Sequence, residues 1–438
     1  MISLARALSK AQDGLPMVES PDLAASVHWV PAATFPVHRW FRYREGFSPY
    51  LFDYFPGTKS RLDPFCGCGT TLLESAKQGV RSCGIDVNPL ATFVTRVKTR
   101  RYGGNDKRLF LSLSSQALQG YRQMDPARRP ECEIINKLFP ETNLEVLLRL
   151  KAFIANAPTK KQKDLLMLAW LSILEDCSNV FKEGNGLKYR NKRRRPGKYM
   201  TLADEEWMPR YFGNNLRLFV ETQWQDKCAQ VAEDIEGFRL CPGFTPRVRT
   251  GSCMKGDQLD FGTTFDLVIF SPPYANRFDY FEAFKMELWM GGFVKRRDDM
   301  LVLRRASMRN NLAAPRHRVE EFWGELRPFL SEMDDEASSV HMGIKGTLEA
   351  YFLDMRVLLC NLRAFIEKKG TVGVVIGNSA YAKSIIPTDV LIAKLGIEEG
   401  YKVKTIRIAR RLHVSSQQRA TLSQFSDFMR ESLVIMEK

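Results

Sequence analysis

The chain has 438 residues, of which 44% are hydrophobic and 26% charged, an ordinary balance for a globular protein. The formal charge of +15 points either to a polyanionic partner, most simply nucleic acid, or to a generally basic solvated surface. No run of about 18 apolar residues marks a membrane span, and the first twenty residues lack the pattern of a secretory leader. The nine cysteines include no Cys-x-x-Cys pair. They read as reduced thiols of a cytosolic protein, with neither a metal site nor a disulfide framework.

Taken in order, the first 25 residues are weakly patterned and read as a loose arm or a first helix. Residues 38–55 are rich in aromatic side chains and suggest a loop leading into a short helix. A short strand ends at Asp63, a helix covers 70–77 with Gly79 as its C-terminal cap, and a second strand over 80–85 ends at Asp86. Asn88-Pro89 opens the next helix. This strand–loop–helix–strand–acid order is the opening of a doubly wound α/β sheet with helices on both faces.

The pattern then breaks. Residues 101–245 read as a mainly helical insertion, with helices over 144–155 and 163–176. Within it, residues 182–198 hold four Lys and four Arg against one Glu. Strands resume at 246–250 and 265–270, and a helix follows Tyr274, with Tyr280, Phe284 and Leu288 four residues apart. Residues 295–345 are charged and irregular. A helix over 348–368 broken at Gly370, a strand over 371–376, a helix over 390–395 and a strand pair at 402–408 and 432–436 complete the sheet. Three blocks result: 1–100 and 246–438 as two halves of a catalytic domain, and 101–245 between them.

Two strings carry chemistry. The first is Asp63-Pro64-Phe65-Cys66-Gly67-Cys68-Gly69-Thr70. Gly67 and Gly69 let the backbone approach a ligand where a Cβ would clash. Asp86, nineteen residues after Gly67, stands at the next strand end, where an acid can accept from two ribose hydroxyls. The third glycine of a dinucleotide loop is replaced by Leu72, and no Gly-Lys-Ser/Thr follows. A nucleoside cofactor without pyrophosphate therefore fits best, and S-adenosylmethionine is the expected one. A plain structural turn can carry the same two glycines.

The second string is Ser271-Pro272-Pro273-Tyr274, directly after an apolar strand. An exocyclic amine on cytosine or adenine is a poor nucleophile because its lone pair is delocalised into the ring. The Ser271 hydroxyl and the Pro272 carbonyl are two acceptors that would draw its N–H bonds out of plane. Pro273 removes a competing donor, and Tyr274 offers a face for stacking an extruded base. The bland alternative is a rigid turn with an aromatic plug.

These strings, with Gly84-Ile85-Asp86-Val87-Asn88-Pro89, resemble the DNA amino-methyltransferases, which modify cytosine N4 or adenine N6 with S-adenosylmethionine. The resemblance covers roughly 35–100 and 246–438. It implies a Rossmann-like class I sheet, duplex DNA as partner, and Ser271, Pro272, Pro273 and Tyr274 as the catalytic turn. It implies cofactor contacts from Asp63, Phe65, Gly67, Gly69, Thr70 and Asp86. Phe47, in Phe47-Ser48-Pro49, resembles the element at the methionine end of the cofactor, and Ser252 the element at the adenine ring. An acid is more usual at the position of Ser252. A leading Ser is more usual for cytosine N4 than for adenine N6. The resemblance also implies a prokaryotic or phage-encoded cytoplasmic protein, with a restriction endonuclease or another defence component as companion.

The insertion stands where this family can hold its target recognition region. Lys188, Arg190, Lys192, Arg193, Arg194, Arg195 and Lys198 are candidate phosphate contacts, or else a solvated loop. Arg304, Arg305 and Arg309 form a second candidate patch. No Pro-Cys dipeptide supports cytosine C5 chemistry. An RNA base methyltransferase and an inactive nucleic-acid-binding protein of the same fold are the remaining alternatives.

Overall fold

A computed structural model describes residues 2–183, 186–194, 201–203, 206–276, 278–310, 323–331, 333, 339–381, 384–412 and 422–438. Eight strands form its central sheet: β1 (Met17–Glu19), β2 (Ser60–Asp63), β3 (Arg81–Asp86), β4 (Arg247–Thr250), β5 (Phe265–Phe270), β6 (Ile366–Gly377), β7 (Lys402–Arg411) and β8 (Arg430–Glu437). Their spatial order is β1-β7-β8-β6-β5-β2-β3-β4. Strands β4, β3, β2, β5 and β6 are mutually parallel, and β8 runs antiparallel to both β6 and β7. This is the expected Rossmann-like class I sheet.

Local sequence explains the centre of the sheet. Strand β5 is apolar at every position but one and has five of its six residues buried, as suits a parallel strand covered on both faces. Its one polar residue, Asp266, accepts from the Lys59 and Ser60 amides at 2.7 and 2.9 Å and locks β5 against β2. The helices α1 (Thr70–Gln78) and α2 (Pro89–Lys98) follow β2 and β3. Gly79, at φ +72°, caps the first, and the Asn88 side chain accepts from the Leu90 amide to start the second.

Four long helices fill the insertion: α3 (Gly104–Gly120), α4 (Glu141–Ala155), α5 (Lys160–Ser172) and α6 (Leu216–Gly237). They do not make a core of their own. One continuous buried cluster runs from Leu73, Leu90 and Val94 through Leu147, Trp170 and Trp224 to Leu288 and Met290. The opposite face of the sheet is covered by Ile2–Gln12, Ser339–Leu362 and Thr388–Glu398.

Several elements differ from the sequence reading. The N-terminal arm contributes both the helix Ile2–Gln12 and strand β1, which pairs in parallel with β7. Three residues of β1 hold too little pattern to be seen as a strand alone. The helix expected over 348–368 ends at Leu362, and Gly370 lies inside β6. There the ladder with β5 shifts register between Ile366 and Thr371, and Lys369 has φ +66°. A Cβ on Gly370 would come 2.6 Å from Ile366 Cγ2, so this glycine serves a β-bulge rather than a helix stop. The single helix expected after Tyr274 is two, Tyr280–Ala283 and Lys285–Gly291, because Phe284 departs from helical geometry. The basic stretch folds as antiparallel pairs, Val180–Glu183 with Gly186–Tyr189 and Lys192–Arg194 with Thr201–Ala203. The charged region after 295 contains the helix Arg297–Ala306.

Candidate active site

Strand order reverses between β2 and β5: the chain moves outward from β2 through β3 to β4, then returns to start the other half at β5. The carboxyl ends of β2 and β5 therefore flank a crevice, the place where doubly wound sheets bind ligands. The two sequence strings are the loops that leave those two ends.

The glycine loop is shaped by protein contacts. Gly67 and Gly69 have φ of +48° and +86°, and a Cβ would meet the Tyr43 ring at 3.0 Å and Thr95 Cγ2 at 2.6 Å, respectively. Asp86 accepts from the Gly67 amide at 2.9 Å and the Asn88 amide at 2.8 Å, so the end of β3 holds the loop after β2. Burial pushes the Asp86 carboxyl up to about 6. Asp63 accepts from Thr71 Oγ1 at 2.5 Å and the Phe65 amide at 3.0 Å, and burial raises it to about 7.

A cavity of about 250 Å³ opens at the crevice. Phe65, Asp86, Val87 and Asn88 line one side, and Ser271, Pro273, Tyr274 and Tyr280 another. A smaller cavity of about 30 Å³ adjoins it and is lined by Phe47, Asp63, Gly67, Thr70 and Lys98. Tyr43, Glu45, Gly46, Phe65 and Ser271 belong to both walls. The fold thus brings Phe47, Asp63, Phe65, Gly67, Thr70, Asp86, Ser271, Pro273 and Tyr274 to one place.

Gly69 and Pro272 are buried in the two loops, and neither residue lines a cavity. Ser252 also stands apart. Its buried hydroxyl donates to the Ala306 carbonyl at 2.5 Å, and Ser307 and Met308 line the large cavity instead.

Tyr274 is anchored at its far end. Its phenol donates to Glu431 Oε1 at 2.6 Å, and Arg410 Nε donates to Glu431 Oε2 at 2.5 Å. A Cβ on Gly377 would stand 2.9 Å from the Tyr274 ring, so a glycine at the end of β6 makes room for it. Burial and the neighbouring Glu431 carboxylate hold the phenol well above its ordinary value, hence protonated. Sequence reasoning missed Glu431, Arg410, Tyr43 and Glu45. Only the last two carried a signal, lying just before Phe47. Tyr43 stacks on Phe284 with centroids 4.9 Å apart.

The basic candidates divide. Arg190 donates to the carbonyls of Ser178 and Glu175 at 3.2 and 3.4 Å and lies 4.0 Å over the Tyr211 ring, so it holds its own hairpin. Lys188 is exposed and pairs with Glu183 at 2.8 Å. Lys192 is exposed over the Tyr189 ring. Arg193 and Arg194 lie on a described strand, whereas Arg195 and Lys198 fall outside the described residues. In the second patch, Arg304 donates to Asp279 at 2.9 Å and Arg309 forms a bidentate pair with Asp354, leaving Arg305 as the exposed member.

No protein-family model matches the chain. It is 26% identical over 453 aligned residues to the Type II methyltransferase M.BsoBI of Geobacillus stearothermophilus, covering 92% of this chain and 86% of that protein. The chain is homologous to the Type II methyltransferases. M.AvaI of Nostoc sp., also a Type II methyltransferase, is 25% identical over 411 residues, covering 85% and 80% of the two chains. Superposition of the chain on the rRNA methyltransferase aviRa from Streptomyces viridochromogenes gives a TM-score of 0.27 at 10% identity, too low to carry any argument. Among the described residues no helix is long and apolar enough to cross a membrane.

Proposed function

We propose that the chain is a DNA methyltransferase that moves a methyl group from S-adenosylmethionine to the exocyclic amine of a base turned out of the duplex, with cytosine N4 favoured over adenine N6. The observation that carries this reading is the convergence of Asp86 and the Ser271–Tyr274 turn on one cavity at the reversal of strand order. The homology to Type II methyltransferases along most of the chain supports DNA as the substrate class.

The residues fit the cofactor. Asp86 already accepts two amide hydrogens, yet a carboxylate offers about four lone-pair sites and can take two ribose hydroxyls as well. The buried Glu45 Oε2 has no protein partner, as expected of a group that meets a ligand. When bound, S-adenosylmethionine supplies an electrophilic methyl group. Asp63, Phe65, Gly67, Thr70, Asp86 and Phe47 would hold it.

On the amine side, the Ser271 hydroxyl and the Pro272 carbonyl accept from the two amine hydrogens and turn the nitrogen lone pair out of the ring. The Tyr274 ring, fixed by Glu431 below and Gly377 beside it, stacks the base. Such a site works by orientation and polarisation, with no covalent enzyme intermediate. Cys66 and Cys68 are both buried and their thiols are held well above the ordinary value, mainly by burial, so neither supplies a thiolate for attack at cytosine C6. The exposed Lys188 and Lys192, together with Arg193, Arg194, Arg195 and Lys198, are the proposed phosphate contacts. A companion endonuclease is part of the same reading.

The test is to incubate duplex DNA with isotopically labelled cofactor and identify the modified nucleoside by mass spectrometry. N4-methylcytosine is expected. N6-methyladenine would change the base and leave the mechanism, whereas 5-methylcytosine would overturn it.

A further inference from the structure

A third cavity, of about 70 Å³, opens where α2 and α6 end. Its walls include Trp40, Lys98, Arg100, Arg101, Asp234 and Arg239. It shares Lys98 with the small cavity and no residue with the large one. No residue of either sequence string reaches it, and neither does the basic stretch of the insertion.

The charges on these walls do not balance. The one acid, Asp234, is fully used within the protein. It accepts from the Val37 amide at 2.8 Å and from Trp40 Nε1 at 2.9 Å, and it pairs with Arg39 at 2.5 Å. Arg100 Nη2 pairs with Asp164 at 2.9 Å, but its buried Nη1 has no hydrogen-bond partner. Lys98 is 4% exposed and its ammonium donates to the His38 carbonyl at 2.9 Å, one acceptor for three donors. Arg101 is exposed and makes no hydrogen bond or ion pair among the described residues. Arg239 Nη1 donates to the Ile235 and Phe238 carbonyls at 3.2 and 3.3 Å, the end of its own helix.

Cations at helix ends need no ligand to explain them, because a helix C-terminus carries about half a negative charge. Two helices end at this cavity. They offset about one of the three cations that lack a carboxylate, Lys98, Arg101 and Arg239, and leave an excess of about two positive charges. Burial pulls the Lys98 ammonium down to about 8, so a charge is kept here against its desolvation. The space holds about five water-sized groups, which is the heavy-atom count of a phosphate group. Guanidinium forks match the paired oxygens of such a group.

We propose that this cavity binds the terminal phosphate of a free small molecule, with Lys98 and Arg100 Nη1 donating from its buried side and Arg101 and Arg239 from its exposed side. A terminal phosphate is a dianion that matches the excess charge and can enter a recess end-on. A phosphodiester of the DNA backbone carries one charge and continues on both sides, so it cannot reach the buried donors. The site is independent of the cofactor and base assignments.

Calorimetry on the full chain tests this with inorganic phosphate as the probe, against chloride at matched ionic strength. The wild type should bind phosphate and not chloride. Arg101→Ala should weaken phosphate about 10-fold, and Arg101→Ala with Arg239→Ala about 100-fold. Phosphate should raise the melting temperature of the wild type and leave that of the double variant unmoved. The double variant should keep the wild-type salt slope of DNA binding. Phosphate binding no stronger than chloride binding, or equal phosphate binding by wild type and double variant, would overturn the proposal. A salt slope reduced by about one unit per arginine would assign these residues to the DNA backbone and overturn it as well.

Discussion

The strand ends and the basic hairpins were both singled out by residue pattern, yet their side chains have different fates. At the carboxyl ends of β2, β3 and β5, most of the chosen residues meet at one crevice. In the stretch from 182 to 198, Lys182 is 8% exposed among carboxylates and Arg190 is tied to two backbone carbonyls, while Lys188 and Lys192 face solvent. A parallel sheet sends every strand end to the same edge, so a short motif there identifies a place. A run of charges has no such constraint, and each side chain is claimed by whichever neighbour reaches it.

The sharpest break of this comparison is at Lys182. Burial opposes its charge, but Glu287, Glu175 and Glu45 outweigh it and hold the ammonium above its ordinary value. Lys182→Met would leave buried carboxylates uncompensated. A loss of about 3–5 kcal/mol is expected in denaturant unfolding, far more than for a surface lysine. A loss under about 1 kcal/mol would place Lys182 with the solvated charges.

Next in size is Asp86→Ala, which removes both the tie to the glycine loop and the proposed ribose contact. Cofactor affinity should fall by about 1–3 kcal/mol in calorimetry. Unchanged affinity with an intact fold would detach the strand-end acid from the site.

Tyr274→Ala should lose about 1–3 kcal/mol of base stacking and cut turnover, with cofactor affinity preserved. Glu431→Gln should reproduce part of that loss, since Glu431 accepts from the Tyr274 phenol and holds the ring in place. If cofactor affinity falls equally in both variants, the two sides of the crevice are not separate.

Replacing Lys188 and Lys192 by Ala should reduce the salt slope of DNA binding by about one unit per lost phosphate contact and leave stability within about 0.5 kcal/mol. An unchanged slope would make the hairpin a plain solvated edge.

The smallest expected effect is a pH dependence at Glu45. Burial raises its carboxyl from an ordinary 4.5 to about 7. A folded value above the unfolded one gives stability that is complete below about 4.5 and lost as pH rises through about 7. The melting temperature of Glu45→Gln should therefore match the wild type in acid and exceed it above pH 7 when no cofactor is present. Excess cofactor should shrink or reverse that gap. A constant difference across pH would mean that Glu45 does not titrate in this range.

The sequence alone determined the centre of the sheet and the edge where chemistry happens. The apolar run of β5, the Gly67–Gly69 loop, Asp86 and the Ser271–Tyr274 turn are local patterns, and right-handed parallel crossovers leave one arrangement for them. The amino-methyltransferase resemblance rested on those same strings, and the homology to Type II methyltransferases agrees with it. Tertiary structure decided the rest. Glu431 meets Tyr274 across 157 residues of chain, and no periodicity links them. Glu45 and Lys98 are unremarkable in sequence, and only the approach of residues 38–49 to the glycine loop gives one an unpaired oxygen and the other a buried charge. Gly370 reads as a helix stop until the register shift with β5 makes it a bulge. Short-range backbone preferences and burial period are written along the chain. The pairing of charges is written across it, and depends on which distant side chains the packed core brings within hydrogen-bond reach.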